Sequence, residues 1–149
     1  MIEKTKKTAK VKPTMIKNVY AHNFKEEMLI VANLVDEFPF IGMDTEFPGI
    51  IYSKENSQFR TLSNYQLTKL NVDSLKVIQV GITLADKNGF YPEEICTWQF
   101  NLKFDIGNDL YQQSSIQLLS SSGIDFESHN TNGISHLEFG EYLITSGLI

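Results

Sequence analysis

The stretch PFIGMDTEFPG, residues 39–49, decides how the rest of this 149-residue chain is read. Pro39 stops the segment before it and Pro48-Gly49 closes the run, so residues 40–46 have the length and bounds of a strand. Its apolar run, Phe40, Ile41 and Met43, predicts a buried strand. Two acids then sit at alternate positions, Asp44 and Glu46. Side chains two apart on a strand share a face, about 6.5–7 Å from each other along the chain. Gly42 shares that face and adds no bulk, while Ile41, Met43 and Thr45 point the other way. Two carboxylates at this range repel each other and are costly to desolvate, and a hard divalent cation such as Mg²⁺ resolves both problems. A bare Asp-x-Glu also occurs where a strand end lets its acids reach solvent. The apolar flanks, which give these acids little other polar company, favour a site.

Outward from this strand, the chain divides into helical and extended segments. Before it, Phe24, Met28, Val31, Leu34 and Val35 recur at three- and four-residue steps, predicting a helix over 23–37 with Asn23 as its N-cap. After it, Tyr65, Leu67, Leu70 and Leu75 mark a helix over 64–75. Residues 76–85, rich in Val and Ile, predict a strand that turns at Asp86-Lys87-Asn88-Gly89 into a hairpin. Gln79 within that strand is expected to be a hydrogen-bonded core polar group. Residues 95–104 alternate Trp98, Phe100, Leu102 and Phe104 with Thr97, Gln99, Asn101 and Lys103, the pattern of a half-buried strand. Two helices close the sequence, over 114–122 ending at Gly123 and over 134–146 ending at Gly147. The order is helix, strand, helix, strand, strand, helix, helix, an α/β or α+β arrangement with a mixed sheet.

Composition narrows the function classes. Ten Phe, six Tyr and 42% hydrophobic residues exclude disorder for most of the chain. No window approaches the roughly 18 apolar residues of a membrane helix. The one cysteine, Cys96, allows no internal disulfide and favours a reducing compartment, cytoplasm or nucleus. Residues 1–20 hold six Lys against one Glu and are expected to form a flexible basic arm. Residues 21–149, the folded body, hold seven basic against seventeen acidic side chains. Such a body is a poor general nucleic-acid binder unless bound metal supplies the missing positive charge. His22, His129, expected in a polar loop over 127–132, and His136 stand at no metal-ligand spacing and are expected to be satisfied surface histidines. Cys96 is expected to be a packing residue, and Trp98 a core residue rather than a base-stacking platform.

Five blocks, MDTEFPG (43–49), YQLTKLNVDSLKVIQVGITL (65–84), TWQFNLKF (97–104), SSIQLLSSSGIDF (114–126) and FGEYLITSG (139–147), occur in order. Together they resemble the CAF-type deadenylase subunit of the CCR–NOT complex, a member of the DEDD 3′-exoribonucleases. The resemblance runs from about Asn23 to the last residue. It implies an α/β, ribonuclease-H-like mixed sheet with flanking helices. It also implies metal-dependent hydrolysis of poly(A) from the 3′ end of mRNA, releasing AMP. Asp44 and Glu46 match the first two acids of the DEDD set, ligands and catalytic residues for two Mg²⁺ or Mn²⁺ ions. Partners implied are the poly(A) tail, a NOT-type scaffold subunit and a CCR-type nuclease, in cytoplasm and nucleus.

The family's two remaining aspartates and its assisting histidine come from segments after the TSG motif, and no His-x-x-x-x-Asp occurs here. Asp73 and Asp86 do not replace them. The expectation is therefore an incomplete fold whose later strands are missing. The strand over 40–46 then keeps an exposed apolar edge, the isolated chain folds poorly and is inactive, and the gene's reading frame once continued past Ile149. A non-catalytic CCR–NOT interaction module and a non-functional gene fragment are the alternatives.

Overall fold

The computed structural model describes residues 16–148. Ten short elements succeed one another: β1 (Ile16–Val19), α1 (Phe24–Leu34), β2 (Phe40–Glu46), a 3₁₀ turn (Ser57–Phe59), α2 (Asn64–Ser74), β3 (Gln79–Ala85), β4 (Thr97–Asn101), α3 (Gln113–Ser121), α4 (Phe126–Asn132) and α5 (His136–Thr145). The four strands form one mixed sheet in the order β1, β4, β3, β2. The β1–β4 pair is parallel, and β4–β3 and β3–β2 are antiparallel. This is the mixed α/β sheet that the sequence pattern predicts.

The period-two pattern of β3 and β4 builds the core. Val80, Ile82 and Leu84 on β3, with Trp98, Phe100 and Leu102 along β4 and just beyond it, are buried on one face. Phe24, Met28 and Val31 of α1 and Phe139 of α5 cover that face. Phe24 meets Phe100 edge-on, with centroids 6.0 Å apart. A second cluster, Ile78, Phe104, Ile116, Leu119 and Phe126, holds α3 and α4. Trp98 is fully buried and its Nε1–H donates to Glu27 Oε2 at 2.9 Å, so it is a core residue. Cys96 is buried too, as a packing residue should be.

Several expectations need correction. The basic arm does not extend through residue 20 as a flexible segment, because Ile16–Val19 pairs with Thr97 through Phe100 as a parallel edge strand. Four residues, one of them Lys17, give too short a periodic signal, and the strand exists by tertiary pairing. Residues 1–15 lie outside the described residues. β2 is the other edge of the sheet, with Phe40 57% and Met43 68% exposed: not the buried strand its composition predicts, but the exposed apolar edge that the family resemblance implies. Its apolar composition signals the strand but not which neighbours cover it. Asn23 does not cap the first turn of α1. Its Oδ1 accepts the Tyr20 N–H at 2.8 Å and its Nδ2 donates to the Asn18 carbonyl, so it locks the link between β1 and α1 instead.

Residues 127–132 are helical rather than a polar loop. Asp125 caps them, its Oδ1 accepting the Glu127 and Ser128 N–H groups. The strand over 95–104 is regular only from Thr97 to Asn101, because from Leu102 the backbone switches partner and bridges Ile134. That switch explains why the last helix starts at His136 rather than at 134. Gly133 permits it: a Cβ there would lie 2.6 Å from Lys103 Cα. Gly123 and Gly147, as expected, have positive φ just past the ends of their helices. Asp86 organises the β3–β4 turn by accepting the Asn88 and Phe90 N–H groups, each at 2.8 Å. These bonds, that from Phe90 first, hold its carboxyl below the usual range.

Candidate metal and nucleic-acid site

The sheet has two unlike faces because every strand alternates. Opposite the core, the strand register lines up residues in rows. One row runs Asp44, Gly81, Gln99 and Asn18; the next runs Glu46, Gln79 and Asn101; a third runs Gly42, Thr83, Thr97 and Ile16. Nearly all of these are polar or side-chain-free, so this face is built to meet water or a polar ligand.

Asp44 and Glu46 share the face, as their spacing requires. Asp44 is exposed and Glu46 half-buried. Both border an open concavity of about 370 Å³, along with Gly42, Gly81 and Gln99. Asp44 Oδ1 accepts the N–H of Thr45 at 2.9 Å, which leaves its other oxygen to the open side. Gly42 and Gly81 flank Asp44 without side chains, so nothing crowds the carboxylates from either neighbour. Among the described residues, no group of three His, Cys, Asp or Glu comes together to hold a metal ion.

The sequence pattern reveals the polar network behind the acids only in part. Gln79 Nε2 donates to Asn101 Oδ1 at 2.8 Å, so Gln79 is hydrogen-bonded as expected, but it is half-buried on the polar face and not in the core. Asn101, itself buried, uses its Nδ2 to hold the Val19 and Gln99 carbonyls, each at 3.1 Å. Gln99 and Asn101 were visible in the sequence only as the polar half of an alternating strand. The register that sets Gln99 across from Asp44 depends on β3 lying between them. A second concavity, about 420 Å³, opens beside the first toward α3 and α4 and shares Glu46, Gln79 and Gln99 with it.

The histidines do not join the acids. His22 is exposed and stacks against Tyr20 at 6.4 Å. His136 Nε2 meets the Val77 carbonyl at 2.8 Å. His129 is not a surface residue, because α4 carries it inward until it is 1% exposed. Its Nδ1 lies 2.8 Å from the Leu102 carbonyl, so Nδ1 bears the donated proton. Burial holds its pKa below the ordinary histidine range, opposed by the Leu102 bond and the charge of Asp125. Asp73 pairs with Lys69 on α2 and Asp86 sits in its turn, neither beside Asp44.

Comparison with known proteins gives this geometry its relatives. A family model described as CAF1 family ribonuclease matches residues 19–142. Poly(A) ribonuclease pop2 of Schizosaccharomyces pombe is 43% identical over 136 residues, covering 90% of this chain and 40% of that protein. Probable CCR4-associated factor 1 homolog 10 of Arabidopsis thaliana is 41% identical over 148 residues, 95% of this chain and 53% of the relative. Among solved structures, S. pombe Pop2p in its Mg²⁺- and Mn²⁺-bound form superposes with a TM-score of 0.79 at 42% identity, over 89% of this chain and 53% of that one. The structure of the yeast NOT1 MIF4G domain co-crystallised with CAF1 matches with a TM-score of 0.72 at 33% identity, over 90% of this chain and 49% of its counterpart. The chain thus spans about half the length of the relatives it matches. By the family match over most of its residues, the chain belongs to the CAF1 family of ribonucleases.

Proposed function

We propose that this chain carries half of the metal site of a poly(A)-specific 3′-exoribonuclease, with Asp44 and Glu46 as the ligands. The observation that carries the reading is that both acids share one uncrowded face of β2, above the side-chain-free Gly81. Hard carboxylate oxygens with open space around them suit Mg²⁺ or Mn²⁺, which keep several waters for a phosphate ligand. The relative Pop2p is known in an Mg²⁺- and Mn²⁺-bound form, which supports the same ions here. In a complete site such ions supply Lewis acidity and a water of lowered pKa.

The chain's own residues do the positioning. The Thr45 N–H fixes Asp44, Gly42 and Gly81 leave room for a phosphodiester, and the strand holds Glu46 at its fixed distance from Asp44. Two carboxylates fit one hydrated ion, and no third ligand joins them among the described residues. The chain alone therefore lacks the charge that stabilises a departing 3′ oxygen and does not shorten poly(A). The poly(A) substrate is supported by the name of the S. pombe relative, a CCR-type partner by that of the Arabidopsis relative, and a NOT-type scaffold by the yeast complex. That complex also favours a second reading, a docking module for the scaffold that needs no metal. Cytoplasm and nucleus are the compartments we assign, on the single buried thiol of Cys96 and the Lys-rich first twenty residues.

The test is purified chain with Mg²⁺ and end-labelled oligo(A), together with an Mn²⁺ titration followed by amide resonances. The oligonucleotide stays full length, while Mn²⁺ broadens residues 42–46 in the native chain and not in Asp44→Asn. A ladder of shortened products that disappears in Asp44→Ala refutes the half-site. Absence of Mn²⁺ broadening refutes the metal assignment.

A further inference from the structure

The row of residues beginning at Asp44 continues across the sheet to a side chain with no partner among the described residues. Asp44 faces Gly81 and Gly81 faces Gln99 in direct register. From Asp44 to Gln99 is therefore two strand spacings, roughly 9–10 Å. Between them the floor is bare backbone: a Cβ at Gly81 would meet only the Asp44 carbonyl oxygen, at 3.8 Å. This is a flat-bottomed trough with carboxylates at one end and an amide at the other. A nucleotide with its phosphate at the carboxylates has about that reach to the far edge of its base.

Of the amides on this face, Gln99 is the one within that reach whose side chain is available for a ligand; Asn18 lies one strand farther out. Asn101 is saturated by Gln79, Val19 and the Gln99 backbone, and that last bond pins the strand from which the Gln99 side chain projects. Gln79 spends its NH₂ group on Asn101. The Gln99 side-chain amide makes no hydrogen bond among the described residues, is half-buried, and borders both concavities. Neither concavity is lined by Lys or Arg among the described residues, so this end of the trough is suited to a neutral base rather than to a second phosphate.

We propose that Gln99 reads the edge of the adenine base of the nucleotide whose phosphate lies at Asp44 and Glu46. This rests on the metal-site reading above and adds to it the residue that selects the base. A glutamine amide offers a carbonyl acceptor and an NH₂ donor side by side, which match the N6 amino group and N7 of adenine in a bidentate pair. A purine with oxygen at C6 presents two acceptors on that edge, and one then faces the glutamine carbonyl. Adenine is preferred over hypoxanthine for this reason, although the two bases have the same size.

The test titrates the full chain in Mg²⁺ with adenosine 5′-monophosphate and inosine 5′-monophosphate, following backbone and side-chain amide resonances. Adenosine monophosphate binds about tenfold tighter, at the lower end of what one good bidentate pair supplies, and shifts the Gln99 side-chain amide. In Gln99→Leu the preference disappears, while Mn²⁺ broadening at residues 42–46 is unchanged. Gln99→Met, which keeps the length and removes both the donor and the acceptor, serves as the second variant and also loses the preference. Equal binding of the two nucleotides by the native chain overturns the proposal and leaves the metal site standing, as does a preference that persists in both variants. Absence of Mn²⁺ broadening in the native chain overturns the metal reading and this one with it.

Discussion

Glu27 is a charged residue at the centre of the core, and replacing it by alanine tests how the two edges of the packing are joined. Its side chain is almost fully buried on α1 and accepts a hydrogen bond from the Trp98 indole at 2.9 Å. Its other oxygen lies 2.9 Å from Lys17 Nζ on β1. One carboxylate thus ties a helix to two strands, and it satisfies a Trp N–H that has no route to water. Glu27→Ala leaves that N–H unsatisfied, which costs about 1–3 kcal/mol, and removes the charge-assisted bond as well. The expected loss is about 2–3 kcal/mol. Glu27→Gln keeps an oxygen for the indole and gives up the ion pair with Lys17, which is open to solvent and screened there. Less than half of the alanine loss is expected from it.

Trp98 is the only tryptophan, so its fluorescence reports directly on the site being perturbed. Urea unfolding at low protein concentration reads the difference. With a slope of about 2 kcal/mol per molar, the Glu27→Ala midpoint falls by about 1–1.5 M. A glutamine variant as weak as the alanine variant would show that the ion pair, and not the indole bond, dominates. An alanine variant within about 0.5 kcal/mol of the native chain would refute the network as a contributor.

Two more perturbations probe the exposed edge and the buried histidine. Met43, 68% exposed on the edge strand β2, is expected to promote edge-to-edge association, so Met43→Lys should lower light scattering at matched concentration without altering the circular dichroism spectrum; unchanged scattering would point to another surface. His129 has a lowered pKa in the folded chain, so the unfolded chain binds the extra proton first, and its contribution is complete above about pH 6.5 and drains as pH falls below it. Thermal midpoints measured between about pH 7.5 and 5 should fall more steeply in the native chain than in His129→Gln, whose amide can still donate to Leu102; parallel curves would contradict the sign.

The parts of the fold legible in the sequence were those whose signal is local. β3 is legible by its Val and Ile content and β4 by alternation, the hairpin turn by Asp86 through Gly89, and two helix ends by Gly123 and Gly147. The illegible parts depend on partners far along the chain. Ile16–Val19 is a strand because Thr97 through Phe100 gives it a parallel ladder, and nothing in four residues that include Lys17 says so. Glu127 through Asn132 has no apolar stripe, yet Asp125 supplies a cap and Phe126 an anchor. An Asp two residues past Gly123 was the available signal. Ser63 and Gln66 likewise form a reciprocal capping box at the start of α2, a Ser-x-x-Gln signature that locates that start to the residue.

The candidate site divides along the same line. The shared face of Asp44 and Glu46 follows from strand geometry alone, so two residues sufficed to predict it. The neighbours of those acids are set by register, which no periodicity in a single strand reveals. A slip of β3 by one residue would put Val80 or Ile82 beside Asp44 and carry the apolar row onto the polar face. The bond from Gln79 to Asn101 matches like with like across β3 and β4, and Thr83 Oγ1 meets Thr97 Oγ1 at 2.8 Å in the same register. These polar pairs and the buried Val80, Ile82 and Leu84 on the opposite face favour one alignment together. That alignment is what sets Gly81 against Asp44 and keeps the approach to the carboxylates open. The residues that fix the sheet are therefore also the residues that shape the site, and the same alternation that buries Trp98 and Phe100 on one side presents Gln99 on the other.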